Sequence, residues 1–425
     1  MSDKRLQGWL ALSPAIVFLI LYVVISLIIG DFYEMPITVA LLAASVWSIV
    51  ICRRKPLAAR FELFSKSAGH SNILYMVWIF VLAGAFASIA KGIGAIDATV
   101  GVTLKFFPPH LLLPAIFVGA CFISMAIGTS VGTVVALVPL IVEMARTADA
   151  DVALFVATVL GGAFFGDNLS FISDTTIAAT RTQGCKMADK FKANFRIVFP
   201  AAIITLGVYL FVGSDVEFVA ADFDTPWWLM TPYILIIVAA LSGLNVMVVL
   251  LGGIVTAIGF GLARGISLLD SCKMLGAGID SMGQLIIITL LAAGMLGVIK
   301  EMGGIDFMLR GLTSRVLGKR GAQACISFLV GIVNMCTANN TVAILTVGDL
   351  SRDISSRYGI EPRKTASLLD TSSCIVQCLI PYGAQTLLAT GLAGISPAAP
   401  WPYLYYPWAL TLALAVSIIS TRRLF

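Results

Sequence analysis

Charge is what this sequence has least of. Asp, Glu, Lys and Arg make up 12% of its 425 residues, against 59% that are hydrophobic. A soluble domain carries about 25% charged and about 45–50% apolar residues, so no water-facing surface can be assembled here. Histidine is nearly missing: His70 and His110 are the only two, both near the ends of apolar runs. The eight cysteines are scattered with no C-x-x-C pair, and in apolar segments free Cys behaves as a small hydrophobe. A transition-metal site is therefore not expected. With no histidine inside an apolar segment and no H-E-x-x-H signature, the sequence points away from an enzyme. The net charge of +5 does not indicate nucleic acid either. It reflects Lys and Arg collected in loops, as on the cytoplasmic side of a membrane protein.

What is present is a series of apolar runs of membrane-spanning length from end to end. The chain reads as an all-α, polytopic protein of the cytoplasmic membrane, with the lipid bilayer as its first partner. The run Trp9–Ile29 is too long for a signal-peptide core and reads as a retained helix. Full crossings are expected at 9–29, 36–51, 73–90, 111–145 and 195–213, and again at 226–243, 245–263, 284–299, 322–348 and 403–420.

The chain also repeats itself. LAGAFASIAKGIGAID from Leu82 lines up with LAAGMLGVIKEMGGID from Leu291, GTSVGTVVA from Gly128 with CTANNTVAI from Cys336, and DNLSFIS from Asp167 with DTSSCIV from Asp370. Three matches in one order indicate two homologous halves, 1–213 and 226–425, joined by an acidic extracytoplasmic linker at 214–225. On the last match Asp167 pairs with Asp370, and Asp174 pairs with the uncharged Gln377.

In each half one segment is interrupted by polar residues, 153–180 and 366–394. The loop RTQGCKMADKFKANFR after the first is basic, as is CRRKPLAARFELFSK from Cys52. Both lie in the cytoplasm if 153–180 enters and returns as a re-entrant hairpin. Five crossings plus one hairpin per half is an odd count, so the second half is inverted and both termini are cytoplasmic. Paired inverted repeats with broken helices are the architecture of secondary transporters, with the site at the midplane. A channel would need a continuous polar pore instead.

The interruption GDNLSFISDTT, Gly166–Thr176, supplies Asp167, Asn168, Ser170, Ser173, Asp174, Thr175 and Thr176. These are oxygen ligands suited to a hard cation such as sodium. One aspartate at mid-bilayer costs about 2.5–3.5 kcal/mol on insertion scales, so two are not incidental. A carboxylate there can hold either a proton or a sodium ion, the simplest basis for their exchange. Asp174, with no acidic mate, is the first candidate for setting the coupling. Further candidates are Thr129, Ser130 and Thr133 in one broken span, Asn339, Asn340 and Thr341 in its counterpart, and Asp370, Thr371, Ser373 and Gln377 in the second hairpin. Helix capping and inter-helix hydrogen bonding are the plainer roles for the same residues.

GDNLSFISDTT after the small-residue run GGAFF resembles the signature of NhaC-type sodium/proton antiporters, about G-D-x-x-S-P-x-S-D-T-T, within the ion transporter superfamily. It departs at Phe171, where that pattern carries proline. The resemblance implies a fold of inverted repeats with paired hairpins, sodium and protons as the transported ions, no other cofactor, and a coupling-ion site at Asp167, Ser170, Ser173, Asp174, Thr175 and Thr176. The alternative cargo is a small organic solute, an amino acid or carboxylate, moved with sodium or protons. A homodimer is compatible with such a chain.

Overall fold

The computed structural model describes residues 2–29, 36–53, 55–106, 108–171, 173–213, 226–313 and 318–420. The acidic linker, Ile172 and the C-terminal Arg422 and Arg423 lie outside the described residues. Those described form twenty α-helices with short 3-10 turns and no strand. Seven helical segments are long and apolar enough to cross a membrane, including 152–183 and 362–393, each counted through its interruption. Large apolar side chains such as Phe328, Val255 and Leu412 stand exposed on the outside, as expected where the solvent is lipid.

The helix order recurs. In the first half, α4 (Ser71–Gly92) and α5 (Ala95–Phe106) precede α6 (Leu112–Ile127), α7 (Ser130–Thr147), α8 (Val152–Leu169), α9 (Asp174–Gln183) and α10 (Met187–Val212). In the second, α14 (Gly283–Glu301) and α15 (Gly304–Thr313) precede α16 (Gly318–Thr337), α17 (Asn340–Tyr358), α18 (Pro362–Leu379), α19 (Ala384–Ala393) and α20 (Tyr405–Ile419). The joints match in backbone angle as well as in position. Gly128 and Ala338 both have positive φ, at 76° and 48°. Thr129 (φ −148°, ψ 128°) has its equivalent in Asn339 (φ −148°, ψ 112°), and Ser173 (φ −64°, ψ 138°) in Gly383 (φ −69°, ψ 144°).

This register corrects one sequence expectation, the pairing of the polar stretches, and Gly128 stands opposite Ala338, not Cys336. α8 ends at Leu169 and α18 at Leu379, so the structural mate of Asp167 is Gln377 and that of Asp174 is Ala384. Asp370 lies deeper in its helix, more than two turns before the break. The pairing of Asp167 with Asp370 came from a short polar match in the wrong register.

Helix directions correct a second expectation, the position of the turning-back segment. The Ser124 hydroxyl on α6 donates to the Ala163 carbonyl on α8. A Cβ on Gly162 would meet Ala120 and Phe117, and one on Gly166 would meet Ser124 and Met125. The two helices therefore run parallel with their backbones almost touching, which only glycine permits. Ser130, at the start of α7, reaches Asp167 near the end of α8, while the far end of α7 joins α8 through the short turn 148–151. α7 is thus antiparallel to both neighbours, and α6–α7 is a helical hairpin with its tip at Gly128–Thr129. The segment 153–180 does not double back. The first turn of α10 lies beyond the end of α8, and α9, joined to it through 184–186, runs on in that direction.

The second half repeats the arrangement. Asn334 on α16 donates to the Ser373 carbonyl on α18, and Gln377 donates to the Ala338 carbonyl, so α16 and α18 run parallel and α16–α17 is the hairpin. Each continuing half-helix packs on the opposite half. Gln183 of α9 donates to the Gly348 carbonyl of α17, and Arg146 of α7 donates to the Ala393 carbonyl of α19.

Candidate functional site

Where α8 stops, its last carbonyls lose their helical partners, and the chain meets them with polar side chains. Ser170 closes the helix through its own N–H to the Gly166 carbonyl, 2.8 Å. The Asn168 carbonyl accepts from Lys190 Nζ at 2.7 Å and from Asn194 Nδ2 at 3.0 Å. These two residues stand one turn apart on the buried stripe of α10 that continues through Ile197, Val198, Ala201 and Thr205. Sequence reading placed Lys190 in a basic loop. Its four-residue spacing from Asn194 on an apolar stripe is the signal that marks it as buried.

Two polar groups form around the break. In the first, Asp167, 5% exposed, accepts from the Ser130 hydroxyl at 2.9 Å and from the Ser173 hydroxyl; Ser173 also lies 2.9 Å from the Thr175 hydroxyl. Ser130 in turn accepts from Gln385 Nε2 at 3.0 Å, and the Gln385 carbonyl accepts from Gln377 at 2.9 Å. This chain of bonds runs from the second half of the protein to the Asp167 carboxylate. In the second group, the Lys190 ammonium meets Asp370 Oδ2 at 2.5 Å, Thr176 Oγ1 at 2.7 Å and the Asn168 carbonyl. Asn194 bridges Asn168 Oδ1, 2.6 Å, and Asp370, 2.9 Å.

The first group opens on a cavity of about 480 Å³. Asp167, Asp174, Ser130, Asn339, Asn340 and Thr341 are among its lining residues, as are Asn72, Tyr75 and Asn245; among the described residues no Lys, Arg or His lines it. Asp174, in the first turn of α9, is an exposed side chain on this cavity, placed where a carboxylate complements the helix N-terminus. Asn339 caps α17 through Val342 N, 3.0 Å, and Asn340 Oδ1 accepts from Thr341 N, 3.1 Å.

The expected site residues therefore divide. Thr129, Ser130, Asp167, Asp174, Thr175, Asn339, Asn340 and Thr341 share the cavity, and Ser173 supports Asp167 from behind. Asn168, Thr176 and Asp370 surround Lys190. Thr133 donates to the Thr129 carbonyl of its own helix, 3.1 Å, and is not on the cavity. Ser373 donates to the Asp370 carbonyl, 2.9 Å, and Thr371 is buried beside Asp370. Sequence reading missed Lys190, Asn194 and Gln385. Gly128-Thr129-Ser130-Val131-Gly132 has the G-x-S-x-G spacing of a hydrolase elbow. Here it forms a helix–helix tip, and Ser130 bonds a carboxylate and an amide with no histidine beside it.

The family model of the Na+/H+ antiporter family matches residues 8–214 and 225–421, and the chain belongs to that family. It is similar to the Malate-2H(+)/Na(+)-lactate antiporter of Bacillus subtilis strain 168, 22% identical, covering 99% of this chain and 95% of that one. It is also similar to the Na(+)/H(+) antiporter NhaC of the same organism, 24% identical over 80% of this chain and 81% of that one. Among solved structures, the YdaH transporter of Alcanivorax borkumensis aligns over 85% of this chain and 89% of its own, with a TM-score of 0.40 and 14% identity.

Proposed function

We propose that the protein exchanges sodium for protons across the cytoplasmic membrane, at the cavity Asp167 and Asp174 share. The observation that carries this reading is the cavity's charge: two carboxylates, several amide and hydroxyl oxygens and, among the described residues, no basic side chain on its walls. Hard cations take such oxygens, and a carboxylate that binds a proton cannot at the same time neutralise a sodium ion. Asp167, buried and held by two hydroxyls, is the coupling residue on this reading; Asp174 draws the cation into the cavity. Family membership supports the same exchange. An organic anion would find no counter-charge there.

Helix directions support a membrane arrangement for this reading. α9 runs alongside α17, which is antiparallel to α18; α18 is therefore antiparallel to the α8–α9 path, and the two halves are inverted. Boundaries at 1–213, 214–225 and 226–425 accord with the two segments matched by the family model. Each half then has five crossings, one of them the broken pair α8–α9 or α18–α19, plus the re-entrant hairpin α6–α7 or α16–α17. The broken pair offers about 40 Å of helix, ample for a hydrocarbon core of about 30 Å. With both termini cytoplasmic, the basic segments around Arg53, Lys186, Lys319 and Arg357 all fall inside, and Lys91, Arg146, Arg264 and Lys273 fall outside. Moving the hairpin to α16–α17 brings Arg352, Arg357 and Arg363 to the cytoplasmic face, which favours this arrangement over a hairpin at 366–394. The cavity then opens toward the cytoplasm past Asn72 and Asn245. The outer side is closed by Lys91–Glu143, 3.0 Å, and by Arg146 on the Ala393 carbonyl, 3.0 Å.

The test is proton movement in proteoliposomes carrying a pH-reporting dye. Sodium chloride added with no other solute should drive protons out of the vesicles, and malate, lactate or arginine in choline buffer should not. Proton movement that appears only when an organic solute accompanies sodium would replace this reading with coupled organic-solute exchange.

A further inference from the structure

We propose that the Lys190 ammonium is a tethered cation filling a second cation position between the two halves, which leaves the Asp167 cavity as the position open to soluble ions. The three donors of the ammonium are met by three kinds of oxygen: a carboxylate at 2.5 Å, a hydroxyl at 2.7 Å and a main-chain carbonyl at 2.7 Å. This is the donor set a hard cation takes. The carbonyl is free to join because α8 ends one residue later, and its C-terminus favours positive charge. Lys190 and Asp370 are 1% and 0% exposed, so nothing dissolved reaches the pair while the lysine is in place.

A second, independent observation indicates ligand capacity beyond the ion pair. Asp370 Oδ1 and Asn194 Oδ1 are buried, and neither has a hydrogen-bond partner among the described residues. An ordinary structural salt bridge in so dry a place would be expected to meet all its lone pairs. Removing the lysine side chain leaves a pocket bounded by Asp370, the Thr176 hydroxyl, the Asn168 carbonyl and Asn194. The same removal leaves the Asp370 charge without its counter-ion. A small monovalent cation such as sodium meets both conditions. The inference goes beyond the exchange reading, because it concerns a position that the wild-type chain keeps closed.

The experiment measures bound radiolabelled sodium per protein, and thermal unfolding in sodium against choline, for purified wild type, Lys190→Ala and Lys190→Ala/Asp370→Asn. Lys190→Ala should bind one sodium more than wild type and unfold at a higher temperature in sodium than in choline, by a margin well above that of wild type. The double variant, with neither charge, should show neither gain. Lys190→Ala recovered only when purified in sodium is also an expected result. The proposal is overturned if Lys190→Ala binds no additional sodium and its loss of stability is equal in the two salts. It is equally overturned if Lys190→Ala is recovered in neither salt while the double variant is recovered in both. Asp167→Asn/Lys190→Ala separates the two positions. It should retain the new sodium after the cavity's own carboxylate is gone, whatever the fate of the exchange reading.

Discussion

At the scale of single residues, burial separates two aspartates that look alike in sequence. Asp167 is enclosed and accepts from two hydroxyls, whereas Asp174 stands free on the cavity wall. Asp174→Asn should therefore raise the sodium concentration for half-maximal exchange about three- to tenfold with the maximal rate largely kept, as loss of long-range attraction does. A maximal rate reduced to background, with half-saturation unchanged, would move the coupling role to Asp174. Gln385→Ala cuts the amide chain that links Gln377 to Ser130 and leaves Asp167 with a less firmly placed donor. A net hydrogen bond is worth about 0.5–1.5 kcal/mol, so sodium-driven proton flux should fall about two- to tenfold. Unaltered flux would show the chain to be packing alone. The asymmetry between the halves was legible in sequence, but its partners were not. A chance polar match placed Asp370 opposite Asp167, where the helix ends place Gln377.

At the scale of elements, glycine decides where helices touch. α6 and α8 approach so closely at Gly162 and Gly166 that a methyl group on either would strike the backbone or side chains of the other helix. Gly166→Ala should lower stability by about 1–3 kcal/mol, the usual result of overpacking, read as a lower unfolding temperature in detergent. Gly207→Ala on α10, where a Cβ meets nothing within 4 Å, should be neutral or slightly stabilising. Equal effects would contradict the packing described. The helical class was legible in apolar run length, and the recurrence of LAGAFASIAKGIGAID pointed to two halves. They could not say which interrupted segment turns back, because loop charge after α9 is satisfied either way. The length of 111–145 was the overlooked clue: 35 residues of helix would span about 52 Å, far too long for one crossing. Lys190 escaped notice for a related reason. A lysine among lysines reads as a loop until its stripe with Asn194 and Ile197 is followed into the core.

At the scale of the whole molecule, moving the hairpin changes which loops share a side of the membrane. Asp149, in the turn between α7 and α8, should lie outside, while Cys185, between α9 and α10, should lie inside. In a background where the other cysteines are replaced, Asp149→Cys should react with an impermeant maleimide added to intact cells, and Cys185 should react only after the cells are opened. Reaction of both from the same side would restore a turn-back within 153–180. On the proposed reading, the two breaks and the outer contact of Arg146 with Ala393 belong to an inward-open exchanger whose cation and proton compete for one buried carboxylate. That competition is tested most directly by sodium-driven proton flux in proteoliposomes of wild type and Asp167→Asn, prepared side by side and matched for protein content. The account predicts flux in the wild type and a loss of at least tenfold in Asp167→Asn with the fold intact by its unfolding temperature. Wild-type flux from Asp167→Asn would contradict it.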